Sequence, residues 1–157
     1  MENWICSWIK TTTADQHDLG GKSEEQIIRD GSAYLIGCFL TNPSWLGEDT
    51  ERLAMLRLMM AMSVGGDGEA YESLASNFCL HRTFLTTTHG HMGLGPAGTQ
   101  PGDFVVVLFG GGVPYILREQ TTGWLFVGES YVDGYMCGKA IQAWRRAEVA
   151  EEVFELR

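Results

Sequence analysis

No basic cluster interrupts the 157-residue chain, in which 20 Asp and Glu face 11 Lys and Arg for a formal charge of -9. Nothing is available to neutralise a run of phosphates, so nucleic-acid binding is not expected. No apolar run approaches the ~20 residues that a membrane-spanning helix needs. The four cysteines (Cys6, Cys38, Cys79 and Cys137) form no CxxC pair, and reduced, mostly buried thiols are the expectation. Residues 1–10 have neither a basic start nor a continuous apolar stretch, so they do not read as a signal peptide. A cytoplasmic location is expected. Phosphate-binding and nucleophile fingerprints are missing too. Gly93-x-Gly95 runs into Pro96 instead of a helix start, and Ser130 in Gly128-Glu129-Ser130-Tyr131 lacks the final glycine of a nucleophile elbow. No cofactor is expected.

Glycine, by contrast, is plentiful. Twelve of the 20 fall between Gly90 and Gly138, which predicts many tight turns in that half. The chain reads as a single domain, helical over about 1–77 and strand-rich over about 78–157. Ser23 followed by Glu24, Glu25 and Gln26 resembles a capping box. Ile27, Ile28, Tyr34, Leu35 and Cys38 follow at helical spacing, with Gly31 and Gly37 as bend candidates and Asn42-Pro43 as the stop. A second helix is expected from Gly47, with Glu48 and Asp49 suiting its N-terminus. Its buried stripe reads as Leu53, Leu56, Met60 and Val64, thickened by Met55, Met59 and Met62. A short helix through Tyr71, Leu74 and Ala75 follows the Gly65-Gly66-Asp67-Gly68 loop.

From Phe78 the period changes. Leu80, Arg82, Phe84 and Thr86 alternate with Cys79, His81, Thr83 and Leu85 as in a strand, with His89-Gly90 as its turn. Residues 104–109 (FVVVLF) predict a buried strand, Gly110-Gly111-Gly112 a hairpin loop, residues 113–118 its return, and residues 124–131 a third strand after Thr121-Thr122-Gly123. Residues 139–148 predict a last helix and residues 153–156 a last strand. The expected class is α+β, with the N-terminal helices packed on a small, bent antiparallel β-sheet or barrel.

One string of motifs carries a family resemblance. It runs Arg82-Thr83-Phe84-Leu85-Thr86, Gly90-His91-Met92-Gly93-Leu94-Gly95-Pro96, Pro101-Gly102-Asp103, Gly111-Gly112-Val113-Pro114-Tyr115-Ile116-Leu117-Arg118 and Val127-Gly128-Glu129-Ser130-Tyr131-Val132-Asp133-Gly134-Tyr135-Met136. In order and spacing it resembles the C-terminal region of fungal heterokaryon-incompatibility (HET) proteins. Trp8-Ile9-Lys10-Thr11-Thr12-Thr13-Ala14-Asp15 resembles the stretch that opens that region. The resemblance implies the scaffold of that region without the HET domain itself, whose signature this sequence does not contain. It also departs from the family pattern where Gly138-Lys139-Ala140-Ile141 replaces Gly-Glu-Ala-Leu.

Most of that string specifies a fold. Asp103 after Gly102 can close a turn, Pro114 suits an edge or bulge, and Arg118 and Glu129 are expected to pair across neighbouring strands. Among the four histidines (His17, His81, His89 and His91), the pair His89 and His91 sits in a predicted turn. Imidazoles titrate near neutrality, so the pair reads either as solvated turn residues or as a general base and acid. Asp133 and Tyr131 are the polar groups expected beside them. Cys79, His81, His89 and His91 make an alternative metal set. Tyr115, Trp124, Glu129 and Arg118 are candidate ligand-binding residues, with Trp45, Phe126 and Tyr135 as further pocket candidates.

Two functions fit this reading. In one, the chain is a stand-alone HET C-terminal-like module that binds a small molecule or a protein partner, including a second copy of itself. In the other, it is a small cofactor-independent isomerase, cyclase or lyase of fungal metabolism, using His and Asp as acid and base. An exposed apolar patch favours the first, and an imidazole and a carboxylate facing one cavity favour the second.

Overall fold

The computed structural model describes residues 2–16, 21–42 and 50–157. The expectations resting on His17, Pro43, Trp45, Gly47, Glu48 and Asp49 lie outside them. Contacts divide the chain into two compact units, residues 1–80 and 81–157. The class is α+β, with five helices and six strands among the described residues.

The first unit holds α1 (Glu2–Thr12), α2 (Glu24–Thr41), α3 (Thr50–Met62) and α4 (Gly68–Cys79). α2 starts where its sequence signal places it, since the Ser23 hydroxyl accepts from the Gln26 amide N–H at 3.1 Å. The other half of the capping box is not made. The Gln26 side chain instead donates to Asp30 Oδ1 at 2.7 Å and to the Gly65 carbonyl at 3.2 Å. Gly31 produces no break in α2. Its role is close packing, because a Cβ there would lie 2.7 Å from Ile9 Cγ1 and 2.8 Å from Tyr71 Cε2.

Around that contact Ile5, Ile9, Ile27, Leu35, Met59 and Tyr71 form a core. The rings of Trp8, Tyr34 and Tyr71 cluster beside it, with centroids 5.5–6.5 Å apart. The Thr12 hydroxyl donates to the Trp8 carbonyl at 2.9 Å and so accepts from the buried Tyr71 hydroxyl. The Cys79 thiol donates to the Thr12 carbonyl at 3.2 Å, and burial pushes its pKa up.

α3 turns only part of its predicted stripe inward. Met59 is buried, with Met55, Leu56 and Met62 packed beside it, whereas Leu53, Met60 and Val64 are exposed. Nine of the thirteen α3 residues are Leu, Met or Ala, spread over every side, so periodicity alone did not fix the face.

The second unit contains two antiparallel three-stranded sheets, ordered β1-β2-β6 and β3-β4-β5. The strands are β1 (Arg82–Thr86), β2 (Met92–Pro96), β3 (Phe104–Val106), β4 (Tyr115–Gln120), β5 (Gly123–Glu129) and β6 (Tyr131–Val132), followed by α5 (Lys139–Arg145). Neither sheet closes into a barrel among the described residues.

Three expectations are corrected here. Gly93 and Gly95 lie within a strand, not a turn. A Cβ on Gly93 would sit 2.6 Å from the Tyr131 carbonyl, and one on Gly95 2.4 Å from Thr99 Oγ1, so glycine lets neighbouring chains approach. The run at 104–109 is a strand only through Val106, and Phe109 leaves it to meet Trp144 with ring centroids 5.0 Å apart. The single strand expected over 124–131 breaks at Ser130, whose N–H donates to the Pro114 carbonyl at 2.8 Å. β5 stays in one sheet and β6 pairs with β2 in the other.

Candidate functional site

The predicted acid–base residues meet only in part. Thr87 and His91 close the β1–β2 turn, with the Thr87 N–H donating to the His91 carbonyl at 2.8 Å and the His91 N–H to Thr87 Oγ1 at 3.1 Å. That geometry faces His89 outward. It is exposed, with Thr88 Oγ1 3.5 Å from its Nδ1. His91 turns toward the segment after β6, where the Asp133 N–H donates to the Met92 carbonyl at 2.9 Å. There His91 Nδ1 lies 3.1 Å from the Asp133 carbonyl, and the His91 ring meets Tyr135 edge-on at 4.7 Å.

A carbonyl can only accept, so His91 Nδ1 carries the proton of that bond and Nε2 is the basic nitrogen of the neutral ring. Gly134, at φ +90°, leaves room for this packing, because a Cβ would lie 3.1 Å from His91 Nδ1. Tyr131 is buried on β6 opposite Leu94. His91, Asp133 and Tyr135 therefore share one corner, held through main-chain contacts. His89 is not part of it.

Cys79 ends α4, whereas His81, at φ +58°, is the turn residue leading into β1. They do not share a strand face. No group of three or more His, Cys, Asp or Glu among the described residues could hold a metal ion.

Arg118 does not pair with Glu129, as its neighbouring strand position suggested. In the ladder Arg118 faces Leu125 and Glu129 faces Tyr115. The guanidinium instead grips Asp103 with two bonds, Nε to Oδ1 at 2.7 Å and Nη2 to Oδ2 at 2.8 Å, and Nη2 also donates to the Gly98 carbonyl at 2.7 Å. Asp103 Oδ2 accepts from the Gln100 N–H at 2.8 Å, so Asp103 does close its turn. The Arg118 guanidinium holds the Asp103 carboxyl below its ordinary range, against the opposing effect of burial. The Glu129 carbonyl accepts from Arg82 Nη1 at 2.8 Å. This paired arginine is a structural clamp on the loop before β3.

The remaining candidates lie on one surface. Residues opposite each other in a ladder share a face, as do residues two apart in a strand. Phe104 is opposite Leu117, Leu117 opposite Phe126, and Glu119 opposite Trp124. One face of the β3-β4-β5 sheet therefore carries Phe104, Tyr115, Leu117, Trp124 and Phe126. The rings interlock, with Phe104 edge-on to Trp124 at 5.1 Å and Tyr115 tilted on Phe126 at 5.5 Å. Leu117 beneath them is 0% exposed, while Phe104 and Phe126 remain 47% and 44% exposed.

Sequence reasoning placed Tyr115, Trp124 and Phe126 among candidate pocket residues but assigned Phe104 to a buried strand. Only the register reveals that it joins them. This face is a partly exposed apolar patch. The corner at His91 does not assemble the expected acid–base pair, since His89 faces outward.

Comparison with known proteins agrees with the motif string. Residues 42–150 match the Het-6 beta-barrel domain family. The match takes in α3 and α4 as well as both sheets. A 71-residue stretch is 38% identical to heterokaryon incompatibility protein 6, OR allele, of Neurospora crassa; it covers 43% of this chain and 10% of that protein. This chain therefore corresponds to a small part of that relative. No solved structure matches it. With more than half of its residues within the match, the chain belongs to the Het-6 beta-barrel domain family.

Proposed function

We propose that this chain acts as a binding module in a heterokaryon-incompatibility system, engaging a protein partner through the aromatic face of the β3-β4-β5 sheet. The observation that carries this reading is the exposure of Phe104 and Phe126 on either side of fully buried Leu117. Adjacent exposed aromatics on a sheet face are costly in water unless they are covered in use. Aromatic side chains also supply most of the anchors at protein interfaces. A flat row of rings suits a protein surface better than a small molecule, which would need to be enclosed.

The natural partner to test is a full-length protein of the same family, and the Neurospora crassa relative is available by name. Binding of this chain to it is measured by calorimetry, with the wild type and with a Phe104→Ser, Phe126→Ser double variant. Saturable binding that weakens at least about tenfold in the variant supports the proposal. Equal binding by both proteins moves the interface elsewhere. No binding by the wild type removes this partner class.

A further inference from the structure

The edge of β5 carries one further segment, residues 154–157, through a single β-bridge. Trp124 donates its N–H to the Glu155 carbonyl at 2.8 Å, and its own carbonyl accepts from the Arg157 N–H at 3.0 Å. Together these make a parallel bridge between Trp124 and Leu156. The Phe154 ring stands edge-on to Trp124 at 5.1 Å. The seat is shaped for a crossing chain, since a Cβ on Gly123 would lie 2.7 Å from the Glu155 carbonyl and 3.2 Å from Arg157 Cδ.

Both main-chain groups of Trp124 point away from β4, although Glu119 stands directly opposite. Two residues further on, Phe126 directs its main chain outward in the same sense. The receiving edge thus continues past the single bridge that the segment makes.

The segment is lightly held before it reaches that seat. Residues 148–153 are exposed, Val153 by 93%. α5 ends in a paired-bond cap, with the Ala147 N–H donating to the Trp144 carbonyl at 2.9 Å and the Glu148 N–H to the Ala143 carbonyl at 3.0 Å. Such a cap requires a left-handed residue at its turn, normally glycine. Here it is Ala147, at φ +55°.

We propose that the β5 edge is a strand-docking site between copies: it accepts Phe154, Glu155, Leu156 and Arg157 from a second chain in place of its own, giving a strand-exchanged dimer. The occupant is the one sequence that the structure shows fitting this seat. Exchange recreates the same bonds in a second copy, which is why it needs no new complementarity. The proposal stands on the edge hydrogen bonds and does not depend on the HET-protein partner proposed above.

The full chain is examined by sedimentation velocity over about a hundred-fold range of concentration. The expected result is a monomer that converts to dimer as concentration rises. Shortening the exposed 148–153 connection by two residues hinders the segment from reaching its own edge, and is expected to shift this conversion to about tenfold lower concentration. A synthetic peptide of residues 149–157 is then added in excess. It is expected to perturb Trp124 fluorescence saturably and to return the dimer to monomer. A chain that stays monomeric throughout, or a dimer that neither the shortened connection nor the peptide affects, overturns the proposal.

Discussion

Asp30 is 0% exposed on α2, yet it is charged. Its carboxylate accepts from Lys22 Nζ, from Gln26 Nε2 at 2.7 Å and from the Asp67 N–H at 2.8 Å. It thereby ties α2 to the cap of α4, where Asp67 itself accepts from the Ala70 N–H at 3.0 Å. Gly66 makes this contact possible, since a Cβ there would lie 2.2 Å from the Arg29 carbonyl. Burial alone would raise the Asp30 pKa, but the Lys22, Asp67 and Gln26 bonds together lower it below its ordinary 3.8. A carboxylate whose folded pKa is depressed stabilises the fold fully above its unfolded pKa, and that contribution is lost as pH falls through the folded value. Asp30→Asn keeps the shape but loses the charge, and should cost about 2 kcal/mol at neutral pH. In urea unfolding, the gap between wild type and variant should hold steady down to about pH 5 and close below about pH 4. A gap that widens on acidification would contradict this account of Asp30.

At the scale of elements, legibility depended on whether local rules were enough. Ser23 marked the start of α2 because a cap is local chemistry, and the β3-β4-β5 meander followed from its turn residues. The inward face of α3 was not legible, because methionines and leucines surround the helix and only its neighbours decide which are covered. Met59→Ala should therefore cost about 2–4 kcal/mol, whereas Met60→Ala, at 56% exposure, should stay within about 0.5 kcal/mol. Similar losses for both in thermal unfolding would return the face to the predicted stripe. The break at Ser130 was illegible because residues 124–131 hold no proline or turn pair to mark it, and the exchange between sheets is set by pairing with Pro114 and Leu94.

The candidate site divided in the same way. The turn position of His91 could be read from the sequence, but its partner, the Asp133 carbonyl, is a main-chain group that no side-chain pattern announces. Arg118 was recognised as paired and given the wrong partner, since the loop that returns Asp103 to it is a tertiary feature. The stop of α5 was hidden for a related reason: its left-handed cap position holds Ala147 where glycine is the usual signal. Ala147→Gly should raise stability by about 1 kcal/mol, read from the denaturant midpoint.

Across the whole molecule, charge is distributed unevenly between the two units. Residues 1–80 carry twelve Asp and Glu against five Lys and Arg, while residues 81–157 carry eight against six. The strand-docking edge and the aromatic face thus lie in the nearly neutral unit. Each chain nevertheless brings the whole -9 with it into an assembly. Two copies exchanging segments at β5 keep the hydrogen bonds and aromatic contacts that each made alone, which salt hardly affects, and their approach is opposed by long-range repulsion that salt screens. The screening length falls from about 30 Å at 0.01 M to about 10 Å at 0.1 M. Self-association should therefore strengthen as NaCl rises over that interval, the reverse of an interface steered by opposite charges. Sedimentation at the two salt concentrations, with protein concentration fixed, measures the sign directly. Weaker association at 0.1 M would mean that unlike charges hold the copies together. In that case a surface other than the Trp124 edge would have to be their meeting point.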